Sequence, residues 1–148
     1  MHRFAMAILS ATMTLSGCGT PAFQPVRGVV TLDGKPLPNC KVGFFPDVAE
    51  FKPDYHGFAF GMTNDMGEYE ARHPKGDKGI FSGKYKVFFV AWVDGNGKAV
   101  PPESKPSEVL GGVKNLVPTK YGTPETTPVT ASIGGGGGTF NFELSTKN

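Results

Sequence analysis

Glycine or proline stands at 34 of the 148 positions of this chain, 21 and 13 respectively. Glycine costs a helix backbone entropy, and proline removes an N–H and clashes with the preceding turn. At this density a helical bundle is excluded, and short extended runs divided by turns remain. The length allows one ordinary domain and no second large one. Hydrophobic residues make up 39%, with 12 Phe, so the body has enough apolar material for a core. Fifteen basic residues against 13 acidic leave a net charge of +2, which excludes a strongly basic nucleic-acid binder and an acidic tail protein. No nucleic-acid partner is expected.

The first eighteen residues carry an address. His2 and Arg3 give a short basic start, and Phe4 to Leu15 is mostly apolar. Twelve residues are too few to span a bilayer and suit the apolar region of a secretory signal peptide. Leu15-Ser16-Gly17-Cys18 follows and closely resembles the bacterial lipobox, whose Cys thiol accepts a diacylglycerol. By that resemblance residues 1–17 are a lipoprotein signal peptide and Cys18 is the lipidated first residue of the mature chain. Two or three acyl chains hold a protein stably at a membrane, where one does not. The chain is thus expected to be exported and lipid-anchored to the cell membrane or outer membrane, facing the periplasm or the surface. With Cys18 acylated, Cys40 is the only remaining thiol, and no intramolecular disulfide is expected. Cys40 shares parity with Val42 and Phe44, so it reads as a small buried hydrophobe.

Residues 18–25 read as a tether and 26–144 as the domain. Val26 to Asp33 alternates, with Val26, Gly28, Val30 and Leu32 on one face, and Asp33-Gly34 is a strong turn dipeptide. Asn39–Phe45 is a second strand with Cys40, Val42 and Phe44 inward, Phe45 outward, and Pro46 as its stop. Gly57–Thr63 and Glu68–Arg72 are a third and fourth, joined by the turn Asn64-Asp65-Met66-Gly67. Lys84–Val93 is apolar on both faces, which predicts a central strand covered on both sides. Val129–Ile133 and Thr139–Leu144 are the sixth and seventh, and the five glycines 134–138 read as a hairpin link between them. These runs predict an all-β fold, a seven-stranded Greek-key β-sandwich. The Pro-rich segment 94–127 holds no convincing strand and reads as a long crossover loop, with Leu116 to Tyr121 supplying apolar anchors.

Several of these pieces, taken in order, resemble a known family. Val26-x-Gly28-x-Val30-x-Leu32-Asp33-Gly34-Lys35-Pro36-Leu37, Val42-x-Phe44-x-Pro46, Thr63-x-Asp65-x-Gly67-x-Tyr69 and Gly83-Lys84-Tyr85-Lys86-Val87 look like the carboxypeptidase regulatory-like domain. Val117-Pro118-Thr119-Lys120-Tyr121 and Thr139 to Leu144 are similar to small lipoproteins of planctomycete-type bacteria built from that one domain. The resemblance spans roughly residues 26–144. It implies a transthyretin (prealbumin-like) sandwich and a non-catalytic module with adhesive, binding or structural roles. Gly28 then reads as a site of close approach, Gly34 and Gly67 as positive-φ turn residues, and Tyr69 and Tyr85 as core plugs whose phenols reach backbone carbonyls.

No catalytic set is readable, and the chain is expected not to be an enzyme. Intradiol dioxygenases of related fold bind iron through a close His pair and two tyrosines. Here His56 and His73 lie seventeen apart, beside Tyr55, Tyr69, Tyr85 and Tyr121. No Ser lies in a Gly-x-Ser-x-Gly elbow, and the glycine run lacks the Lys of a phosphate loop. Asn64, Asp65 and Glu68 at one turn, and Asp94 and Asn96 at another, have the oxygen chemistry calcium takes, yet Asx residues at turns have a sufficient local reason. No metal or cofactor is assigned. Phe51, Tyr55, Phe58 and Phe60 cluster before and within the third strand; rings of this kind either cap the open side of a small sandwich or, left exposed, bind a partner protein or a polysaccharide. The expected partners are the membrane, through the anchor, and an envelope protein or a polysaccharide, through these rings.

Overall fold

The computed structural model describes residues 22–147, so the expected signal segment 1–17, Cys18 and the first part of the expected tether lie outside the described residues. Among the described residues the regular structure is strand, with two single-turn 3₁₀ segments at Pro106–Glu108 and Thr119–Tyr121. Twelve strands are present, where the sequence predicts seven: β1 (Val26–Leu32), β2 (Lys35–Pro36), β3 (Lys41–Pro46), β4 (Ala59–Met62), β5 (Glu68–Glu70), β6 (Gly83–Val90), β7 (Trp92–Val93), β8 (Ala99–Val100), β9 (Lys114–Asn115), β10 (Thr130–Ile133), β11 (Gly138–Thr139) and β12 (Phe142–Leu144).

β1 organises the first sheet. Its alternation is as predicted: Val26, Gly28 and Val30 are buried, and Arg27 is exposed. On one edge β1 pairs antiparallel with β2 through the Asp33-Gly34 turn (φ 49° and 79°) and with β5, where Gly28 faces Tyr69. On the other edge it pairs in parallel with β11 and β12. Val26 faces Gly138 and Val30 faces Phe142, the same offset, so Thr139–Leu144 runs along β1 in one register. The ladder is interrupted only at Phe140–Asn141, where the Asn141 side chain accepts the Val29 N–H at 3.0 Å.

The second sheet has the order β10-β6-β3-β4, all antiparallel. A two-way backbone bridge between Phe60 and Arg72 (2.8 and 3.0 Å) ties β4 to the segment just after β5. The sheets face each other across one core, in which Phe89 and Phe142 meet edge-on at 5.3 Å and Phe44 meets Tyr69 at 6.2 Å. Buried polar groups are paired, as the interior demands. The Thr63 hydroxyl donates to the Leu37 carbonyl (2.6 Å) and accepts the Cys40 N–H (2.8 Å).

Four expectations are corrected. The 94–127 segment is not strandless: β8 and β9 flank β7 in a small third sheet, with Trp92 opposite both Val100 and Asn115. Two-residue strands are too short to leave a period-two signal. Glycines 134–138 do not close a hairpin. β10 pairs with β6 in one sheet and β11 with β1 in the other, so the run crosses between sheets. A Cβ at Gly137 (φ 71°) would lie 1.9 Å from the Pro25 carbonyl oxygen, which explains glycine there. The Lys84–Val93 run divides at Ala91, because Trp92 and Val93 change partners to β8 and β9. Its inner face is buried, but Lys86, Phe88 and Val90 are only half-covered, so β6 is central without a full second layer. The tether also ends early. Phe23 stacks on Phe81 with centroids 4.6 Å apart, and Gln24 exchanges backbone hydrogen bonds with Ile80 at 2.7 and 2.9 Å.

Candidate functional site

The two sheets present unlike outer faces. That of β1, β5 and β11 is polar: Arg27, Glu68, Glu70, Thr139 and Asn141 line it, and Glu70 pairs with Arg72 (3.1 Å) and Lys78 (3.8 Å). That of β3, β4 and β6 is aromatic. Strand parity places Phe45 on it beside the buried Phe44, and Phe60 on it beside the buried Ala59. Antiparallel register sets Gly43 between Phe60 and Phe88. The Phe88 ring lies across Gly43, where an added Cβ would stand 2.2 Å from it. The result is an open groove of about 390 Å³ lined by Lys41, Phe45, Phe58, Phe60, Pro74 and Phe88 among others.

The loop between β3 and β4 adds to this face. Pro46 ends β3, and the segment from Lys52 to His56 then closes on itself. Lys52 O accepts the N–H of Tyr55 (3.0 Å) and of His56 (2.8 Å), and His56 Nδ1 accepts the Lys52 N–H (2.8 Å). This turn carries Phe51 back onto Phe58, stacked at 5.5 Å with planes 17° apart, and Phe45 tilts against Phe58 at 5.1 Å. Of the four ring residues singled out in the sequence, Phe51 and Phe58 are thus in one stack. Phe60 is two residues along the same face with Lys41 Nζ above its ring at 5.1 Å, and Tyr55 stands on the loop as the most exposed of the four, at 58%. Phe51 and Phe58 remain 46% and 45% exposed, which makes a contiguous apolar patch rather than scattered surface residues. Phe88 was not among the sequence candidates. Its signal was present in the outer parity of β6, but its place in the patch depends on the β3–β6 register.

The groups that carry chemistry elsewhere serve the fold. The Tyr69 hydroxyl donates to the Phe140 carbonyl and that of Tyr85 to the Phe81 carbonyl, each at 2.8 Å, as the sequence predicts. Burial pushes both phenols up, Tyr85 to about 12. Tyr121 is buried against Phe89. His56 and His73 are half-buried, and each ring accepts a local backbone N–H at Nδ1, from Lys52 and from Lys75. His73 lies beside Phe23 and Phe81 at the end of the tether. Asn64 Oδ1 accepts the N–H groups of Met66 and Glu68, and its Nδ2 donates to Glu68 (2.8 Å). Asp94 Oδ1 likewise accepts from Asn96 and Lys98. These are Asx turns, with side-chain oxygens directed at their own backbone. Among the described residues no group of three or more His, Cys, Asp or Glu side chains is placed to hold a metal ion.

Cys40 is fully buried, and desolvation pushes its thiol up to about 12 from an ordinary 9.0. Only the thiolate reacts, so below pH 9 its thiolate fraction falls roughly 1000-fold under that of a free thiol. Iodoacetamide at mildly alkaline pH is therefore expected to leave Cys40 unlabelled in the folded chain and to label it in denaturant, read by peptide mass. Rapid labelling without denaturant would contradict this burial.

No protein-family model, no curated protein and no solved structure matches the chain. The chain is an all-β protein whose two main sheets, one mixed and one antiparallel, pack on one core and present one polar and one aromatic outer face.

Proposed function

We propose that this chain is an exported, lipid-anchored module of the cell envelope, without catalytic activity, that works by contact through its aromatic face. The observation that carries this reading is the patch of Phe45, Phe51, Phe58 and Phe60 outside the core, in which Phe51 stacks on Phe58 and Phe45 tilts against it, all left open. Its rings have no hydrogen-bonding groups apart from the neighbouring Tyr55, which suits an apolar partner surface better than the hydroxyls of a polysaccharide. The anchor rests on Leu15-Ser16-Gly17-Cys18.

The finer architecture belongs to the same proposal. Leaving aside the short β2, β7, β8 and β9, and taking β11 with β12 as one, seven strands remain. β6 lies beside β3, β3 beside β4, and β4 is bridged to the β5 segment, an order that supports a Greek key. The carboxypeptidase regulatory-like, transthyretin-type sandwich suggested by the sequence fits this order, with Gly28 and Tyr69 at its close approach.

The test is Cys18→Ala in the native host. The variant is expected to leave the membrane fraction and to keep a different mature mass, because neither acylation nor the associated cleavage can proceed. A variant that still partitions with membranes at the wild-type mature mass would sink the anchor.

A further inference from the structure

We infer that the bilayer holding the Cys18 acyl chains is itself the surface the aromatic loop touches, with Phe51, Tyr55 and Phe58 seated at the membrane interface. The inference rests on the proposed anchor and names the partner of the same aromatic site.

The chain is fixed to the body from Phe23, by its stack on Phe81 and the Gln24–Ile80 bridge. Cys18 is five residues earlier, a step of at most about 18 Å even when fully extended. A body of this size is about 28 Å across by its radius of gyration alone, so the tether is shorter than the molecule it holds. The end of the sandwich that carries Phe23 must therefore face the lipid.

The aromatic loop leaves the sheet at that end. Phe81 and Ser82 lead directly into Gly83, the first residue of β6. Pro46, the last residue of β3, lies opposite Tyr85, and the Asp47 N–H donates to the Lys84 carbonyl at 2.9 Å. The loop 47–58 thus starts beside the β6 residues that follow the tether's dock. It returns there too: a Cβ at Gly57 would fall 3.1 Å from His73 Nε2 and 3.2 Å from the Phe81 ring, the two side chains that hold Phe23. The β7–β9 sheet, by contrast, begins beyond Val90, across the eight residues or about 26 Å of β6.

Chemistry selects the mode of contact. Phe rings and an exposed Tyr, apolar in body with one polar tip, are suited to the boundary between headgroups and acyl chains. On the loop Asp47, Glu50 and Asp54 outnumber Lys52. Attraction to anionic lipid therefore does not drive the contact, and a zwitterionic surface suffices.

The experiment uses the acylated full chain, purified from its envelope and reconstituted in phosphatidylcholine vesicles carrying nitroxide-labelled lipid. Trp92, the only tryptophan, is first replaced by Phe. One probe is Phe51→Trp, with Phe58→Trp as a second in case the first disturbs folding. The control is Leu110→Trp, on the loop joining β8 to β9 and 96% exposed. The indoles at 51 and 58 are expected to be blue-shifted and quenched by the nitroxide, and the one at 110 to be unaffected. Protein that floats with the vesicles while both loop indoles remain unquenched overturns this inference and leaves the anchor standing. Loop indoles that shift only on adding cell-wall polysaccharide or an envelope protein assign the rings to that partner and overturn it as well. Protein that does not float at all overturns the anchor, and this inference with it.

Discussion

Gly28→Val is expected to be among the most damaging substitutions in the chain, although Gly28 is remote from the aromatic face. The reason is the break in the parallel ladder. At Phe140–Asn141 the Phe140 N–H donates to the Arg27 carbonyl (2.8 Å), which turns the Phe140 carbonyl over Gly28, where it accepts the Tyr69 hydroxyl. A Cβ at Gly28 would stand 1.8 Å from that carbonyl oxygen and 3.1 Å from the Tyr69 ring. Backbone cannot yield as a side-chain tip can, so β12 must move off β1 and release the Tyr69 hydrogen bond. Overpacking and a part-buried hydrogen bond lost together cost about 4 kcal/mol, a large part of the stability of an ordinary domain. Urea unfolding checks this, with Gly34→Asn as the control, since Gly34 has open space around it and Asn tolerates its positive φ. A Gly28→Val midpoint close to wild type would mean that β12 does not lie against β1 as described.

The adjacent phenylalanines 44 and 45 make the second large prediction, because they divide the core from the aromatic face. Phe44 is 1% exposed and touches Tyr69, Tyr85 and Phe142, at centroid distances of 6.2, 6.2 and 6.4 Å. Phe44→Ala removes a ring from the meeting point of both sheets and leaves a cavity that little can collapse into, at about 3–5 kcal/mol. Phe45 is 39% exposed, and Phe45→Ala is expected to cost at most about 1 kcal/mol, within the range of surface changes. The ratio of the two, from denaturant midpoints, reads the register of β3 directly. Equal or reversed costs would place the strand one residue out of step, with its faces exchanged.

How far the sequence speaks depends on the range of the interaction that places each residue. Val26–Leu32, the Asp33-Gly34 turn and the inward Cys40, Val42 and Phe44 are set by period-two alternation and local turn chemistry, and they are read correctly. The close approach at Gly28 and the phenols of Tyr69 and Tyr85 are also read correctly as types, although their partners, Phe140 and Phe81, come only from the fold. What alternation cannot say is which strand lies beside which. Glycines 134–138 look like a hairpin link because hairpins are local, yet the adjoining strands pair with β6 and β1, far off in the chain. The same limit hides β8 and β9, two residues each, whose pairing with β7 leaves no pattern. The aromatic patch is partly visible for this reason. Phe51, Tyr55, Phe58 and Phe60 are neighbours in sequence, whereas Phe45 and Phe88 join them through the β3–β4 and β3–β6 registers. That His73 and Phe81 reach Phe23 on one side and Gly57 on the other, and so bring the tether to the aromatic loop, is a wholly tertiary fact.

We propose, then, an acylated, metal-free contact module. Intact mass of the protein purified from its native envelope, with metal analysis of the same sample, tests it most directly. A chain beginning at Cys18 is expected, with added mass from two or three acyl groups and no stoichiometric metal. An unmodified chain beginning elsewhere would contradict the anchor, and one equivalent of iron or calcium would contradict the reading of the tyrosines and Asx turns as purely architectural.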